Sequence, residues 1–221
     1  MRINIAIDGP SASGKSTIAK LLAKRLGYTH IDTGAMYRSV AYWAKKHKIE
    51  MNEESLVRML ETMHIVLTPS GDVFVNDEDV TRAIRSNEMS LGASQVSVFP
   101  EVRKRLVEMQ REMAKDKGFI MDGRDIGTVV LPEAEVKIFQ TASADSRALR
   151  RYNENISKGI LSDFDTLKKE IEDRDYQDTH RKASPLLKAA DAVEIDTSDM
   201  GIDDVVNAVI EYIEERMKNH D

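Results

Sequence analysis

The sequence predicts an α/β fold, a parallel sheet with helices packed on both faces. Three observations carry this. Short β-branched runs alternate with longer amphipathic segments along the whole chain. The first run passes through a glycine-containing loop straight into a helical pattern, which is how a βαβ unit opens. The 221 residues, 41% of them apolar, are also enough to bury one sizeable core.

Element by element, Ile3, Ile5 and Ile7 predict a buried strand. Ile18, Leu21, Leu22 and Leu26 then line one face of a helix that Gly27 ends. His30 to Thr33 reads as a short strand end, and helices follow over about 34–46 and 53–63. Ile65 to Thr68, a turn-rich Pro69-Ser70-Gly71-Asp72, and Val73 to Val75 predict a hairpin. It interrupts a run of helices, so it is read as part of an insertion on the main sheet. Val102, Leu106, Met109 and Met113 form a stripe at helical spacing, the pattern of a packed core face. Phe119 to Met121 and Val136 to Phe139 predict strands. A charged helical region runs from about 144 to 179, with a break near Gly159. A last strand at 192–195 precedes a helix striped by Ile202, Val205, Val206, Val209, Ile210, Ile213 and Met217.

Charged residues make up 32% of the chain and the formal net charge is −6. An acidic chain repels nucleic acid and anionic membranes overall, so phosphate binding must come from local basic clusters. The absence of cysteine excludes disulfides, thiol catalysis and cysteine metal sites. The N-terminal apolar run is short and broken by Asn4 and Asp8, and no stretch approaches the ~20 apolar residues of a membrane helix. The expectation is a cytoplasmic monomer that acts on small molecules, with neither nucleic-acid nor membrane partners.

Gly9-Pro10-Ser11-Ala12-Ser13-Gly14-Lys15-Ser16 matches the pattern G-x-x-x-x-G-K-[ST] between a predicted strand and a predicted helix. Glycine lets the backbone approach phosphates closely, successive amides form an anion nest, and the helix dipole adds positive potential. Lys15 is placed to reach the β- and γ-phosphates, and the Ser16 hydroxyl to bind Mg²⁺. With Thr17 following, this loop is the expected ATP site of a P-loop NTPase-type sheet. No Asn-Lys-x-Asp guanine-reading segment is present, and a motor or helicase is normally longer. A small kinase must hold two anionic substrates and exclude water, which calls for arginines on mobile elements. Arg38 and Arg124 follow predicted strand ends, where parallel sheets place ligands. Arg147, Arg150, Arg151, Arg174 and Arg181 lie in the charged region.

These residues carry a resemblance. Ile7-Asp8-Gly9-Pro10, Asp32-Thr33-Gly34-Ala35-Met36-Tyr37-Arg38, Ala93-Ser94-Gln95-Val96, the segment from Met121-Asp122-Gly123-Arg124-Asp125 to Val130, and Arg174-Asp175 through Arg181 span the chain. In them the chain resembles the bacterial cytidylate kinases, the CMP branch of the nucleoside monophosphate kinases. The resemblance implies that Thr33, Arg38 and Arg124 sit at the CMP phosphate. It implies that Ser94, Arg103 and Asp125 read the cytosine edge, and that Asp178 and Arg181 meet the ribose and the transferring phosphates. It further implies one kinase domain over 1–221. Within it, a monophosphate-binding region over about 34–98 contains the hairpin insertion of about 62–86, and a lid over about 147–182 carries Arg147, Arg151 and Arg174. The expected reaction is transfer from MgATP to CMP, and to dCMP, giving CDP and ADP.

Other readings stay open at this point. Asp125 also suits an ion pair with Arg124 or a cap on the next turn, and Arg103 suits a stem packed along its helix. Ser94 in a helical stretch suits a bond to its own backbone. Asp8 or Asp122 suits a Walker-B-like acid, or simply a polar strand end. The histidines show no metal spacing, and His180 reads as a surface neighbour of Arg181. A kinase for UMP, AMP or a small alcohol, and a nucleotide sensor without an acceptor, are the competing functions.

Overall fold

The computed structural model describes residues 2–218; residue 1 and residues 219–221, the ends of the expected 1–221 domain, lie outside the described residues. Strand β1 (Ile5–Asp8) leads through a loop to helix α1 (Lys15–Leu26), then to β2 (Thr29–Asp32) and α2 (Thr33–Lys46). Helix α3 (Glu53–Leu60) precedes a small sheet of β3 (Ile65–Leu67), β4 (Val73–Val75) and β5 (Glu78–Asp79). Helices α4 (Asn87–Val96) and α5 (Pro100–Met113) return the chain to β6 (Phe119–Gly123) and β7 (Val136–Thr141). Two helices, α6 (Ala144–Ser157) and α7 (Phe164–His180), precede β8 (Val193–Asp196) and α8 (Ile202–Lys218).

The main sheet is parallel throughout, in the order β2-β6-β1-β7-β8. Alternation along β1 explains its apolar sequence. Ile5 and Ile7 pack with Ile18 and Leu22 of α1 and with Val205, Val206 and Val209 of α8. Ala6 faces the opposite side, with Met121, Ile126 and Val107 of α5. A strand covered on both faces can carry no exposed polar row. The connection after β1 runs past β6 to β2, while that after β6 runs past β1 to β7, so the crossovers reverse direction between β1 and β6. A crevice therefore opens beyond the strands' C-terminal ends, where such sheets hold ligands.

A second core lies beside the sheet, among Met36, Val40, Leu56, Val73, Val75, Ile84, Val96 and Leu106. It joins the small antiparallel sheet to α2, α4 and α5. Val102 and Leu106 of the expected stripe are buried in it, with Met109 and Met113 packed at its edge. Helices α2 and α4 meet closely: a Cβ on Gly92 would stand 2.8 Å from the Ala41 Cβ.

The element boundaries differ most from expectation in three places. Helix α3 stops at Leu60, not Met63, because Thr62 and Met63 turn back onto the last helical carbonyls and Met63 enters the second core. The expected hairpin gains a third strand, β5, through a tight turn at Asn76 and Asp77. Both take positive φ, 46° and 67°, as a type I′ turn requires. The break near Gly159 (φ 71°) widens to residues 158–163, between α6 and α7. Among the described residues, no helix is long and apolar enough to cross a membrane.

Candidate active site

The loop after β1 is shaped by close contact and by backbone sign. A Cβ on Gly9 would stand 1.9 Å from the Gln140 carbonyl oxygen, so only glycine fits that crossing. Ala12 (φ 58°) and Gly14 (φ 92°) take left-handed backbone and curl the loop over the N-terminus of α1. The first amides of that helix have no intrahelical acceptor. The Gln140 amide and the Arg150 guanidinium both donate to the Ser13 carbonyl, the latter at 3.1 Å, and Arg147 donates to the Ser11 carbonyl at 3.1 Å. Lys15 is buried, and its Nζ donates to the Pro10 carbonyl at 2.6 Å and to Ser13 Oγ at 3.2 Å. Burial, and next the Arg124 charge, push its pKa down to about 7.

Asp122, near the end of β6, is a hub. Its Oδ2 accepts from Ser16 Oγ at 2.7 Å, its Oδ1 lies 2.6 Å from His30 Nε2, and its carbonyl accepts from Thr33 Oγ1 at 2.8 Å. Asp8, the last residue of β1 and in register with Gly123, does something else. It accepts from the amides of Ile126 and Gly127, each at 2.7 Å, and so pins the turn that follows β6. Burial outweighs these bonds and raises its pKa to about 6. Of the two acids, Asp122 stands beside Ser16 and Asp8 is committed to backbone.

From Asp122 a line of charged side chains runs across the crevice. Arg124 Nε donates to Asp178 Oδ2 at 2.7 Å. Arg181 Nη1 lies 3.6 Å from Asp178 Oδ1, and its Nη2 lies 4.0 Å from Asp125 Oδ1. Asp125 Oδ2 accepts from Arg103 Nη2, and the Arg103 guanidinium lies 5.5 Å from the centre of the Tyr37 ring. Asp125 thus pairs with Arg103, not with Arg124, and Arg103 is a buried ion-pair partner, not a stem packed on its helix. On the near side, Arg38 and Arg85 donate to Asp32 Oδ2 at 2.8 and 2.9 Å, while Asp32 Oδ1 caps α2 at Ala35. Burial alone would raise the Asp32 pKa; Arg38, then Arg85, hold it well below the usual carboxylate range.

The charged helices complete the arrangement. Arg147 grips Asp175 with two bonds of 3.0 and 2.6 Å, tying α6 to α7. Burial, then Arg124, lower the Arg174 pKa to about 10, and its buried Nε has no hydrogen-bond partner among the described residues. Burial, then Arg103, lower that of Arg181. In Lys15, Arg174 and Arg181 burial is the first cause and a neighbouring arginine the second, so cationic side chains are crowded in a desolvated region, a pattern that clusters at functional sites.

The structure therefore brings together Lys15, Ser16, Thr33, Arg38, Arg124, Arg174, Asp178, Arg181, Asp125 and Arg103. Three expected residues lie at the margin of this group. Thr17 is exposed on α1, Arg151 lies 3.6 Å from Glu154 and near enough to Arg174 for its charge to act there, and Ser94 Oγ donates at 3.3 Å to Gln177 Oε1, next to Asp178 in the chain. His180 is exposed and stacked on Tyr176, as a surface neighbour. Arg85, Gln140, His30 and Tyr37 enter the site region without having been singled out. A signal for Gln140 and His30 was available, since His30 is a polar residue in a predicted strand and Gln140 is a polar residue directly after one.

Comparison with known proteins bears on this geometry. A family model described as Cytidylate kinase matches residues 5–215. A cytidylate kinase of Ligilactobacillus salivarius (strain UCC118) is 52% identical over 223 aligned positions covering 99% of both chains. One from Streptococcus pneumoniae (strain 70585) is 52% identical over 97% of this chain and 99% of its own. Among solved structures, a gluconokinase from Sinorhizobium meliloti 1021 has a TM-score of 0.51 at 11% identity, covering 99% of this chain and 97% of its own. A shikimate kinase from Bacteroides thetaiotaomicron has a TM-score of 0.51 at 13% identity, covering 97% and 99%. At those identities the two structures share the P-loop kinase fold and nothing finer. The family match spans nearly the whole sequence at once, loop, insertion and charged helices included, and the chain belongs to the cytidylate kinase family.

Proposed function

We propose that the protein transfers the γ-phosphoryl group of ATP to the phosphate of CMP, and of dCMP, giving CDP and ADP. One observation carries this reading: the run of charge from Lys15 and the Ser16–Asp122 pair, whose charges act on Arg124 through space, along the contacts of Arg124, Asp178 and Arg181, to the buried Asp125–Arg103 pair. One end suits a polyphosphate, and the other offers a fixed carboxylate. The middle holds cations in excess, where a second phosphate fits. Family membership over the whole chain supports the same substrates.

In this reading Gly9 to Thr17 hold ATP. Thr33, Arg38 and Arg124 bind the CMP phosphate. Asp125, oriented by Arg103, accepts the cytosine N4–H, and Ser94 reads the same edge. Uracil puts an acceptor there, which meets the carboxylate with like polarity. Asp178 and Arg181 meet the ribose and the transferring phosphates. Residues of about 34–98 form the acceptor-binding region, and about 147–182 the lid. A phosphate oxygen of CMP attacks the γ-phosphorus as the bond to the ADP oxygen breaks, so no base and no covalent intermediate are needed. Lys15, Arg124, Arg147, Arg151, Arg174 and Arg181 stabilise the spreading negative charge, and closure excludes water.

The donor set beside the loop suits Mg²⁺. Ser16 Oγ and the Asp122 carboxylate are hard oxygen donors 2.7 Å apart. Among the described residues no cluster of three His, Asp or Glu forms a closed cage. Mg²⁺ suits such sites, keeping waters and binding through one or two protein oxygens plus phosphate. When bound it supplies charge neutralisation across the β- and γ-phosphates. The reading is completed by a monomer in a cytoplasmic setting, the latter supported by the use of ATP. The test is ADP release in a coupled assay with ATP and each nucleoside monophosphate in turn. CMP is expected to stimulate far above UMP and AMP; equal stimulation by all three would overturn the assignment.

A further inference from the structure

We propose that His30 is the positioning residue for the Asp122–Ser16 pair, and through it sets how tightly the nucleotide's divalent cation is held. This rests on the reading of Ser16 and Asp122 as the cation-side donors. The geometry is specific. His30 lies on β2, paired with Ile120 of β6, two residues before Asp122. Its ring reaches along the sheet to place Nε2 2.6 Å from Asp122 Oδ1, and both side chains are buried, at 8% and 6% exposed. The other carboxylate oxygen takes the Ser16 hydroxyl at 2.7 Å, and the Asp122 carbonyl takes Thr33 Oγ1. A carboxylate on a strand can roll about its last torsion, which is broad and two-fold. With one oxygen held by an imidazole N–H, that roll is fixed. Oδ2 then stays on Ser16, and the hydroxyl is held beside the loop. Because the acceptor is a carboxylate oxygen, Nε2 carries the hydrogen.

The device spans elements that come from distant parts of the chain. Ser16 opens α1, His30 lies on β2, and Asp122 lies on β6. Only the sheet's β2-β6-β1 order brings them together. A leucine or phenylalanine at position 30 fills a similar volume in a strand and leaves Asp122 free to roll. A glutamine keeps an N–H that can reach the same oxygen. Supporting hydrogen bonds of this kind typically change metal affinity about 10- to 100-fold when removed.

The test measures ADP binding by calorimetry with and without Mg²⁺, in wild type, His30→Leu, His30→Gln, Ser16→Ala and the Ser16→Ala/His30→Leu double variant. His30→Leu is expected to leave metal-free ADP affinity within about two-fold and to shrink the Mg²⁺-dependent gain about ten-fold. His30→Gln should restore most of that gain. In the Ser16→Ala background, His30→Leu should change the gain no further, because the two act in series. Equal losses with and without Mg²⁺, an unchanged gain, or full additivity in the double variant would each overturn the proposal. Should His30→Leu fail to fold, His30→Gln decides: near wild-type Mg²⁺ dependence upholds it, and a loss as large as that of Ser16→Ala overturns it. The underlying reading fails separately, if wild type itself gains no ADP affinity from Mg²⁺.

Discussion

Two residues set the chemistry that can be tested at the scale of a side chain. Burial and Arg124 hold the Lys15 amine at about 7, so much of it is neutral in the free protein at pH 8. A nucleotide's phosphates supply the missing counter-charge and favour the ammonium form. Binding ADP must then take up a proton. The sign follows directly: affinity is highest below pH 7, falls as pH rises through the free-protein value, and the uptake climbs toward one proton near pH 8.5. Calorimetry at pH 8 in buffers of different ionisation enthalpy reads this, and Lys15→Met should abolish it. A buffer-independent enthalpy in wild type would contradict the assignment. Asp125 is the second residue. Asp125→Asn keeps the shape but exchanges an acceptor oxygen for a donor, and it loses a charge-assisted bond of about 1.5–3 kcal/mol to the base. The kcat/KM ratio of CMP over UMP should fall about 10- to 100-fold, with KM for ATP little changed. An unaltered ratio would remove Asp125 from base recognition.

At the scale of elements, the acceptor side depends on how α4 lies on α2. Gly92 leaves no room for a side chain against Ala41. Gly92→Val should therefore cost about 1–3 kcal/mol by overpacking and tilt α4, which carries Ser94. The expected result is a lower melting temperature with KM for CMP raised and KM for ATP kept; a variant in which both rise together would mean the strain spreads to the loop. Gly92 also shows what sequence reading reaches. The strands were legible because a strand buried on both faces must be apolar, as in Ile5 to Ile7 and Ile120 to Met121. The phosphate loop was legible because its glycines answer a local demand. The pairing of Arg103 with Asp125, 22 residues apart, and of Arg124 with Asp178, 54 apart, was not, because neither depends on local pattern. Residue types told that arginines and acids would meet a substrate; only the packing of α5 and α7 onto the crevice decides which meet each other. Strand β5 escaped notice for another reason. Glu78 and Asp79 carry no β-branched signal, and the turn at Asn76 and Asp77 alone makes them a strand.

For the molecule as a whole, the crevice trades stability against binding. Arg174 is held down to about 10 by burial and by Arg124, and its Nε has no hydrogen-bond partner among the described residues. Lys15 and Arg181 are depressed by the same crowding. Burial first, and the neighbouring arginines next, disfavour the charged forms and cost the ligand-free fold stability; in the proposed reading, entering phosphates relieve that cost, a trade common at functional sites. Arg174→Met keeps the length and helix propensity of the side chain while removing the charge. It is expected to raise the ligand-free stability by about 1 kcal/mol, which for a chain of this size lifts the melting temperature by about 2–4 °C. Ligand should act the opposite way. Wild type with ADP and CMP at a hundred times their dissociation constants gains about 2.7 kcal/mol from each, if the two bind independently. Arg174→Met should show a markedly smaller ligand-induced rise at the same concentrations. Thermal unfolding followed with and without the nucleotides, at fixed ionic strength, measures both changes. A lower ligand-free melting temperature in Arg174→Met would mean that Asp178 and the helices α6 and α7 need this arginine as a structural partner. The excess positive charge of the crevice would then be a consequence of packing and not a site held in readiness for phosphate.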